Sequence, residues 1–204
     1  AAYSSPLIAT LAGTPQIIIF NDASISAHNP QDGKLLWRQP WPSEGENVVQ
    51  PVPLPGDRVL VSAGYGIGTK LFQIEKKEEG SFSVNLVWES RGLKAKFANV
   101  VHKDGFIYGL DNGILVCLDL SAGKRKWKRG RYGHGQVILV DDLLLVMSEK
   151  GDVVLVEPNP ESHIELGRFK AFSSKTWNSP ALAGKYLLVR NNKEAACYEL
   201  GVGE

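Results

Sequence analysis

The sequence predicts an all-β protein, a β-propeller built from four-stranded antiparallel blades. The first observation is the stretch at residues 106–127, FIYGLDNGILVCLDLSAGKRKW, in which two turn signals, DNG and SAG, separate three short runs. Asn and Gly accept the positive φ angles that tight hairpin turns require, so these runs are predicted to form three consecutive antiparallel strands. The second observation is that this unit recurs along the whole chain.

An acidic or amide residue at the end of the third strand marks each copy of the unit. These residues are Asn29, Glu75, Asp119, Glu157 and Glu199, separated by 46, 44, 38 and 42 residues. A further short segment, headed by a small or amide residue, precedes the first apolar run of each copy. Each copy therefore contains four strands in about 40 to 45 residues, the length of a propeller blade.

An aromatic residue near the end of each complete copy is predicted to be a structural anchor of its blade. The anchors are Trp37, Trp88, Trp127 and Phe169. A large flat ring can fill the wedge between two twisted sheets, and stacking on a ligand is the alternative role.

We predict a single domain over residues 1–204, with blades at approximately 4–42, 48–92, 96–131, 135–173 and 178–201. About five blades are present, of which four are complete and the last lacks its outer strand. Because propellers usually close by sharing one blade between the two chain ends, the chain is expected to be part of a larger ring.

Composition and charge exclude several classes of protein. Of the 204 residues, 43% are apolar and 22% are charged, which is ordinary for a globular domain and argues against disorder. The formal net charge of +1 gives no global attraction to nucleic acid or to an anionic membrane. No apolar run is long enough to span a bilayer, and the first residues lack the pattern of a signal peptide.

The two cysteines, Cys117 and Cys197, occupy the same position of the repeat, two residues before the acidic residue. Equivalent positions two blades apart point along different radii, so a disulfide is not expected. Both are predicted to be small buried side chains.

Loops on a disc face are the expected place for any functional site, since strands supply rigidity and loops supply chemistry. The candidate ligand-binding residues are Tyr65, Arg131, Tyr132, His134, Lys175 and Trp177. No catalytic residue is predicted, because the adjacent carboxylates Asp141 and Asp142 point in opposite directions on a strand. No metal site is predicted either, since His134 has no second histidine at ligand spacing.

Two further stretches leave alternatives open. The glycine-rich segment at 64–68 indicates a wide or bulged turn, with a phosphate cradle as the alternative, although no helix follows it. The basic segment at 124–131 is typical of an outer strand whose charges discourage edge pairing, with a docking patch for an acidic partner as the alternative.

Several motifs together resemble the pyrroloquinoline-quinone-like repeat propellers. They are the D/N-x-x-x-G-K-x-x-W blocks at 29–37 and 119–127, the SSP and NSP strand starts at 4–6 and 178–180, RYGHGQ at 131–136 and ACYEL at 196–200. The chain is similar to the C-terminal part of bacterial propellers of this kind. The resemblance implies a seven- or eight-bladed ring and an exported protein, periplasmic or extracellular.

The family that the sequence resembles includes both enzymes and non-catalytic scaffolds. Quinoprotein dehydrogenases of this kind have a vicinal disulfide and a calcium site, and neither motif is found in the sequence. We therefore expect no cofactor and a non-catalytic scaffold that binds a protein, small ligand or glycan on a disc face, with homo-oligomerisation through open blade edges as an option. The alternatives are a quinone- and calcium-dependent alcohol or sugar dehydrogenase, and a carbohydrate-binding propeller with Trp177, Tyr65 and Tyr132 as stacking platforms.

Overall fold

The computed structural model describes residues 2–42 and 45–201, and these residues form β-strands, turns and loops without a helix. The ends of the predicted domain, residue 1 and residues 202–204, lie outside the described residues, as do residues 43 and 44. The described chain divides into two compact units. Unit 1 extends to Lys96 and includes Leu120–Lys124, and unit 2 comprises Phe97–Asp119 and the residues from Arg125 onward.

Unit 1 contains two four-stranded antiparallel sheets, each with its strands in chain order. The first sheet contains β1 (Leu7–Leu11), β2 (Thr14–Phe20), β3 (Ser24–His28) and β4 (Leu35–Pro40). The second contains β5 (Val52–Leu54), β6 (Arg58–Ala63), β7 (Gly68–Lys76) and β8 (Phe82–Ser90). One apolar cluster includes Ile18 and Phe20 from the first sheet and Val59 and Val61 from the second, so the two sheets pack face to face.

Unit 2 contains two four-stranded sheets and one three-stranded sheet, again antiparallel with sequential strands. The third sheet contains β9 (Val101–Lys103), β10 (Phe106–Asp111), β11 (Ile114–Asp119) and β12 (Arg125–Arg131). The fourth contains β13 (Gln136–Val140), β14 (Leu143–Met147), β15 (Asp152–Glu157) and β16 (Ile164–Lys170). The last contains β17 (Ala181–Ala183), β18 (Tyr186–Arg190) and β19 (Ala195–Glu199). The predicted all-β fold with four-stranded blades is confirmed.

Strand β14 shows how consecutive sheets pack in unit 2. Successive residues of a strand point to opposite faces. Leu144 and Val146 belong to the cluster shared with the third sheet, whereas Leu145 and Met147 belong to the cluster shared with the last sheet. A strand that is apolar on both faces is therefore explained by a neighbouring sheet on each side.

Each predicted anchor packs against or hydrogen-bonds to a residue outside its own sheet. Trp37 belongs to the cluster shared by the two sheets of unit 1, and its indole N–H donates to Gln16 Oε1 at 2.6 Å. The indole N–H of Trp88 donates to the Leu120 carbonyl, and that of Trp127 donates to the Asn159 carbonyl. The rings of Phe169 and Tyr198 are arranged edge to face, with their centroids 4.8 Å apart.

The prediction that both cysteines are buried is wrong for one of them. Both are free, and Cys117 is buried whereas Cys197 is exposed. Cys197 lies on β19, the edge strand of the three-stranded sheet, and the described residues contain no further strand that pairs with it.

Candidate functional site

The segment that joins the third and fourth sheets is fixed to a turn on each side. The backbone N–H groups of Tyr132 and Gly133 both donate to the Gly113 carbonyl, which lies in the turn between β10 and β11. The Tyr132 carbonyl accepts the N–H of Glu149 in the turn between β14 and β15. This linker is therefore held by backbone hydrogen bonds, and its side chains project from a well-defined base.

Glycine is required at two positions of this linker, at Gly133 by its positive φ and the nearby Glu149 side chain, and at Gly135 by the close approach of a backbone. A Cβ atom on Gly133, where φ is +66°, would lie 2.4 Å from Glu149 Oε2. A Cβ atom on Gly135 would lie 1.9 Å from the Met147 carbonyl oxygen. The GHG sequence thus lets the linker lie against β14, and the local fold explains why His134 has glycine on both sides.

Glu149 is the centre of the site. One carboxylate oxygen accepts the backbone N–H of His134 at 3.1 Å, and the other accepts the indole N–H of Trp177 at 2.9 Å. Burial favours the neutral acid, but these two hydrogen bonds and the nearby charges of His134 and Lys175 outweigh it and lower the pKa of Glu149. The carboxylate is therefore ionised and joins the loop that carries His134 to the loop that carries Trp177.

The Phe97 side chain packs against both residues that donate to this carboxylate. The ring of Phe97 lies 5.4 Å from the His134 imidazole and 5.3 Å from the Trp177 indole, between ring centroids. Gln136 adds a polar tie, because its side-chain N–H group donates to the carbonyl oxygens of Phe97 and Trp177. The loops before β9, β13 and β17 are held together by these contacts.

A cavity of about 430 Å³ opens next to Glu149. It lies between the β10–β11 and β14–β15 turns, and the linker forms one wall. Three of the predicted residues, Arg131, Tyr132 and His134, line it, and so does Lys150. Of its two acidic lining residues, Glu149 accepts the bonds described above, and Asp152 is paired with Lys170 at 3.2 Å.

Tyr132 serves the interior of the site. Its side chain is 2% exposed, so it cannot be an open stacking platform for a sugar, and that part of the carbohydrate-binding alternative is wrong. Its hydroxyl lies 2.8 Å from His163 Nε2 and 3.1 Å from Glu165 Oε2. Burial, with a smaller contribution from Glu165, raises the pKa of Tyr132. Burial also lowers the pKa of His163, which favours the neutral imidazole.

Lys175 and Trp177 form the exposed margin of the same region. Trp177 is 42% exposed, and Lys175 Nζ lies 4.4 Å from the centroid of its ring, within the range of a cation–π interaction. A second cavity, of about 390 Å³, is lined by both residues and by the amide side chains of Asn178 and Asn192.

Tyr65 lies apart from the other candidates along the chain and belongs to unit 1. It occupies the turn between β6 and β7, where the Ile67 N–H donates to the Gly64 carbonyl, so the glycine-rich segment is a tight turn. Lys96 Nζ lies 4.3 Å from its ring centroid, and a hydrogen bond with Glu46 raises the pKa of Tyr65 to about 12. A cavity of about 540 Å³ that Gly66, Ile67 and Arg91 line lies in the same unit.

Five of the six candidates therefore lie in unit 2, and Glu149, whose carboxylate accepts hydrogen bonds from His134 and Trp177, was not predicted. A signal for it exists in the repeat. Glu149 is 38 residues after Asp111, the same step that separates Glu157 from Asp119, so the two carboxylates hold corresponding positions.

The described residues do not fit the quinone and calcium pair of the dehydrogenase alternative. The free cysteines lie on two different strands, so they cannot form a vicinal disulfide. Within residues 2–42 and 45–201, no group of three or more His, Cys, Asp or Glu side chains could hold a metal ion.

The antiparallel sheets with sequential strands and the interlocked loops define a propeller-like repeat protein. The family described as outer membrane protein assembly factor BamB has a sequence profile that matches residues 1–129. The chain belongs to this family, and the resemblance to the pyrroloquinoline-quinone-like repeat propellers is confirmed.

Solved structures support the same fold. BamB from Moraxella catarrhalis is similar with a TM-score of 0.67 and 17% identity, over 90% of this chain and 58% of that one. A functionally unknown protein from Desulfotomaculum acetoxidans DSM 771 is similar with a TM-score of 0.66 and 11% identity, over 94% of this chain and 67% of that one. The chain spans just over half the length of the BamB structure. No curated protein matches the chain.

The part of the chain that the structure describes contains no helix with the length and apolar character that crossing a bilayer needs.

Proposed function

We propose that this chain is part of a non-catalytic propeller that binds a protein partner in an assembly outside the cytoplasm. The observation that carries the proposal is how Glu149 is used. Both of its carboxylate oxygens accept N–H groups from the loops that present His134 and Trp177. A carboxylate that holds loops in place supports a preformed surface, which lowers the ordering cost of binding.

The binding surface that we propose is the exposed margin of this site, formed by Arg131, His134, Lys150, Lys175 and Trp177. Tryptophan and arginine are enriched among the residues that dominate protein interfaces. The family's description as an outer membrane protein assembly factor favours a protein partner. The same family description favours a location in the periplasm.

The proposal is tested by photo-crosslinking in cells that produce the full-length protein. A photoreactive phenylalanine analogue replaces Trp177 in one variant and Leu166 in a control. Leu166 is an exposed residue of β16 and belongs to the same unit. We expect a defined protein adduct from position 177 and none from position 166. Equal labelling from both positions, or no protein adduct from position 177, would contradict a docking role for this surface.

A second measurement separates the scaffold from the dehydrogenase alternative. The full-length protein is incubated with pyrroloquinoline quinone, calcium and either an alcohol or a sugar, and reduction of a dye is followed. We expect no reduction above that of the quinone alone. Substrate-dependent reduction would replace the scaffold proposal with an enzymatic one.

A further inference from the structure

The cavity beside Glu149 has a surplus of unpaired positive charge. Arg131, Lys150 and Arg168 line it, against two carboxylates, Glu149 and Asp152. Arg168 is engaged with Glu165 at 2.8 Å and with Asp152 at 3.5 Å. Arg131 and Lys150, by contrast, form no ion pair or side-chain hydrogen bond with any residue in 2–42 or 45–201. Two exposed cations are therefore available at the mouth of the cavity.

The carboxylates of the cavity do not satisfy these cations because each already has partners. Asp152 accepts from the Ser148 hydroxyl and from Lys170. Glu149 accepts from His134 and Trp177. A carboxylate that enters from outside would meet an arginine and a lysine, the side chains that form charge-assisted hydrogen bonds with anions.

We propose that this cavity binds a carboxylate side chain from an acidic segment of the protein partner, with Arg131 and Lys150 as its two ligands. The inference rests on the proposed function and adds the chemistry of the partner. The neighbouring cavity at Lys175 and Trp177 supplies an indole and the amides of Asn178 and Asn192. These groups can contact the residues that flank the carboxylate in a polypeptide.

The same surroundings disfavour two other anions. A free phosphate ion would use the cations but none of the indole or amide contacts. An acidic sugar would stack on an open aromatic face, but Lys175 lies over the ring of Trp177, and Tyr132 is buried. Both anions share the charge of the carboxylate, so they serve as competitors in the test.

The experiment measures binding of a fluorescently labelled synthetic peptide, with a central Glu-Glu-Glu flanked by Gly and Ser, to the full chain by fluorescence polarisation. Hydrogen bonds to charged groups are among the stronger ones, so loss of both ligands in the double variant Arg131→Ala/Lys150→Ala should weaken binding about tenfold or more. The peptide with Gln-Gln-Gln should bind at least as weakly. Increased salt should weaken binding to the unmodified protein.

Arg125→Ala is the matched control. Arg125 lies on the same strand as Arg131, is exposed, and does not line the cavity. It should keep the affinity within about twofold. An equal loss in the control and in the double variant, or equal binding of the glutamine peptide, would overturn the proposal. Inorganic phosphate or glucuronate that displaces the peptide at equal or lower concentration would overturn the assignment to a polypeptide.

The failure of this inference can be distinguished from the failure of the proposed function. The photo-crosslinking variant at position 177 is repeated with Arg131→Ala/Lys150→Ala added. Loss of the adduct supports the carboxylate site. An adduct of unchanged yield would keep the docking surface and remove the two cations from it. Thermal unfolding of each variant shows whether it is folded.

Discussion

Two carboxylates at corresponding positions of consecutive sheets differ in their burial and in their partners. Asp111, the last residue of β10, is completely buried, and Lys128 of the same sheet neutralises it across a 2.5 Å ion pair. Glu149, in the turn after β14, is only partly buried and accepts N–H groups from two linkers. Arg168, which lies opposite Val154 as Lys128 lies opposite Val116, pairs with Glu165 and Asp152 instead.

The difference shows how a repeat acquires a site. The carboxylate in the third sheet serves the interior of its own blade. In the fourth sheet the corresponding cation, Arg168, pairs with Glu165 and Asp152, and Glu149 accepts N–H groups from loops outside that sheet. The two carboxylates therefore differ in their partners, while the backbone of the two turns has the same role, because the Gly113 and Gly151 carbonyls each accept two N–H groups from the segment that follows their sheet.

The largest loss of stability is expected at Asp111, the buried carboxylate of the third sheet. Lys128→Met removes the partner of a buried carboxylate, and breaking a buried ion pair in this way costs about 3–5 kcal/mol. Lys126→Met is the control, because Lys126 pairs with Glu161 on the surface of the same unit, where an ion pair contributes at most about 1 kcal/mol. Urea unfolding measures both variants. Similar losses in the two would show that Asp111 does not depend on Lys128.

A smaller loss of stability is expected at Glu149, the partly buried carboxylate of the fourth sheet. Glu149→Ala leaves the His134 N–H and the Trp177 indole N–H without their acceptor, and an unsatisfied donor costs about 1–3 kcal/mol. Glu149→Gln keeps one acceptor oxygen and should lose less. The free energy of unfolding is measured for both. If Glu149→Ala were as stable as the unmodified protein, the carboxylate would not be holding the loops.

The pH dependence of stability should separate the Glu149 variants further. Hydrogen bonds lower the pKa of Glu149 below its ordinary value of 4.5, against the opposing effect of burial. The ionised form therefore contributes stability above the unfolded-state pKa, and this contribution disappears as the pH falls through the folded-state pKa. The advantage of the unmodified protein over Glu149→Gln should be larger at about pH 7 than at about pH 3. His163 is present in both proteins, so its contribution cancels in the difference between them. A difference in stability that is constant with pH would contradict the assignment to Glu149.

Much of the fold could be predicted because each blade repeats local signals. The DNG turn at 111–113 needs positive φ at Asn112 and Gly113, and both residues have it, at 48° and 84°. The pairing of Asp111 with Ile114 follows from that turn. These signals lie within a few residues of one another, so they can be identified from sequence alone.

The candidate site was only partly predictable because its links join distant loops. The loop positions of His134 and Trp177 follow from the repeat, but their common partner, Glu149, depends on how two linkers pack. The burial of Tyr132 and the exposure of Cys197 have the same origin. Both depend on which neighbouring strand or linker covers a position, and a repeat pattern does not specify this.

The smallest effect on stability is expected at Trp177. The same substitution should have the clearest effect on how much of the tryptophan fluorescence comes from an exposed ring. Of the five tryptophans, Trp177 is 42% exposed, whereas Trp37, Trp41 and Trp127 are buried. Trp177→Phe removes one hydrogen bond to Glu149 and should cost about 1 kcal/mol. The fraction of tryptophan fluorescence that acrylamide quenches should fall.

Trp127→Phe is the matched comparison for that measurement. Its ring lies in the cluster between the third and fourth sheets, and its N–H donates to the Asn159 carbonyl. Replacing it loses buried contacts and leaves that carbonyl without its donor, so stability should fall by more than in Trp177→Phe. The quenchable fraction should not fall, because a buried emitter has been removed. If Trp127→Phe reduced the quenchable fraction and Trp177→Phe did not, the assignment of Trp177 as exposed and Trp127 as buried would be wrong.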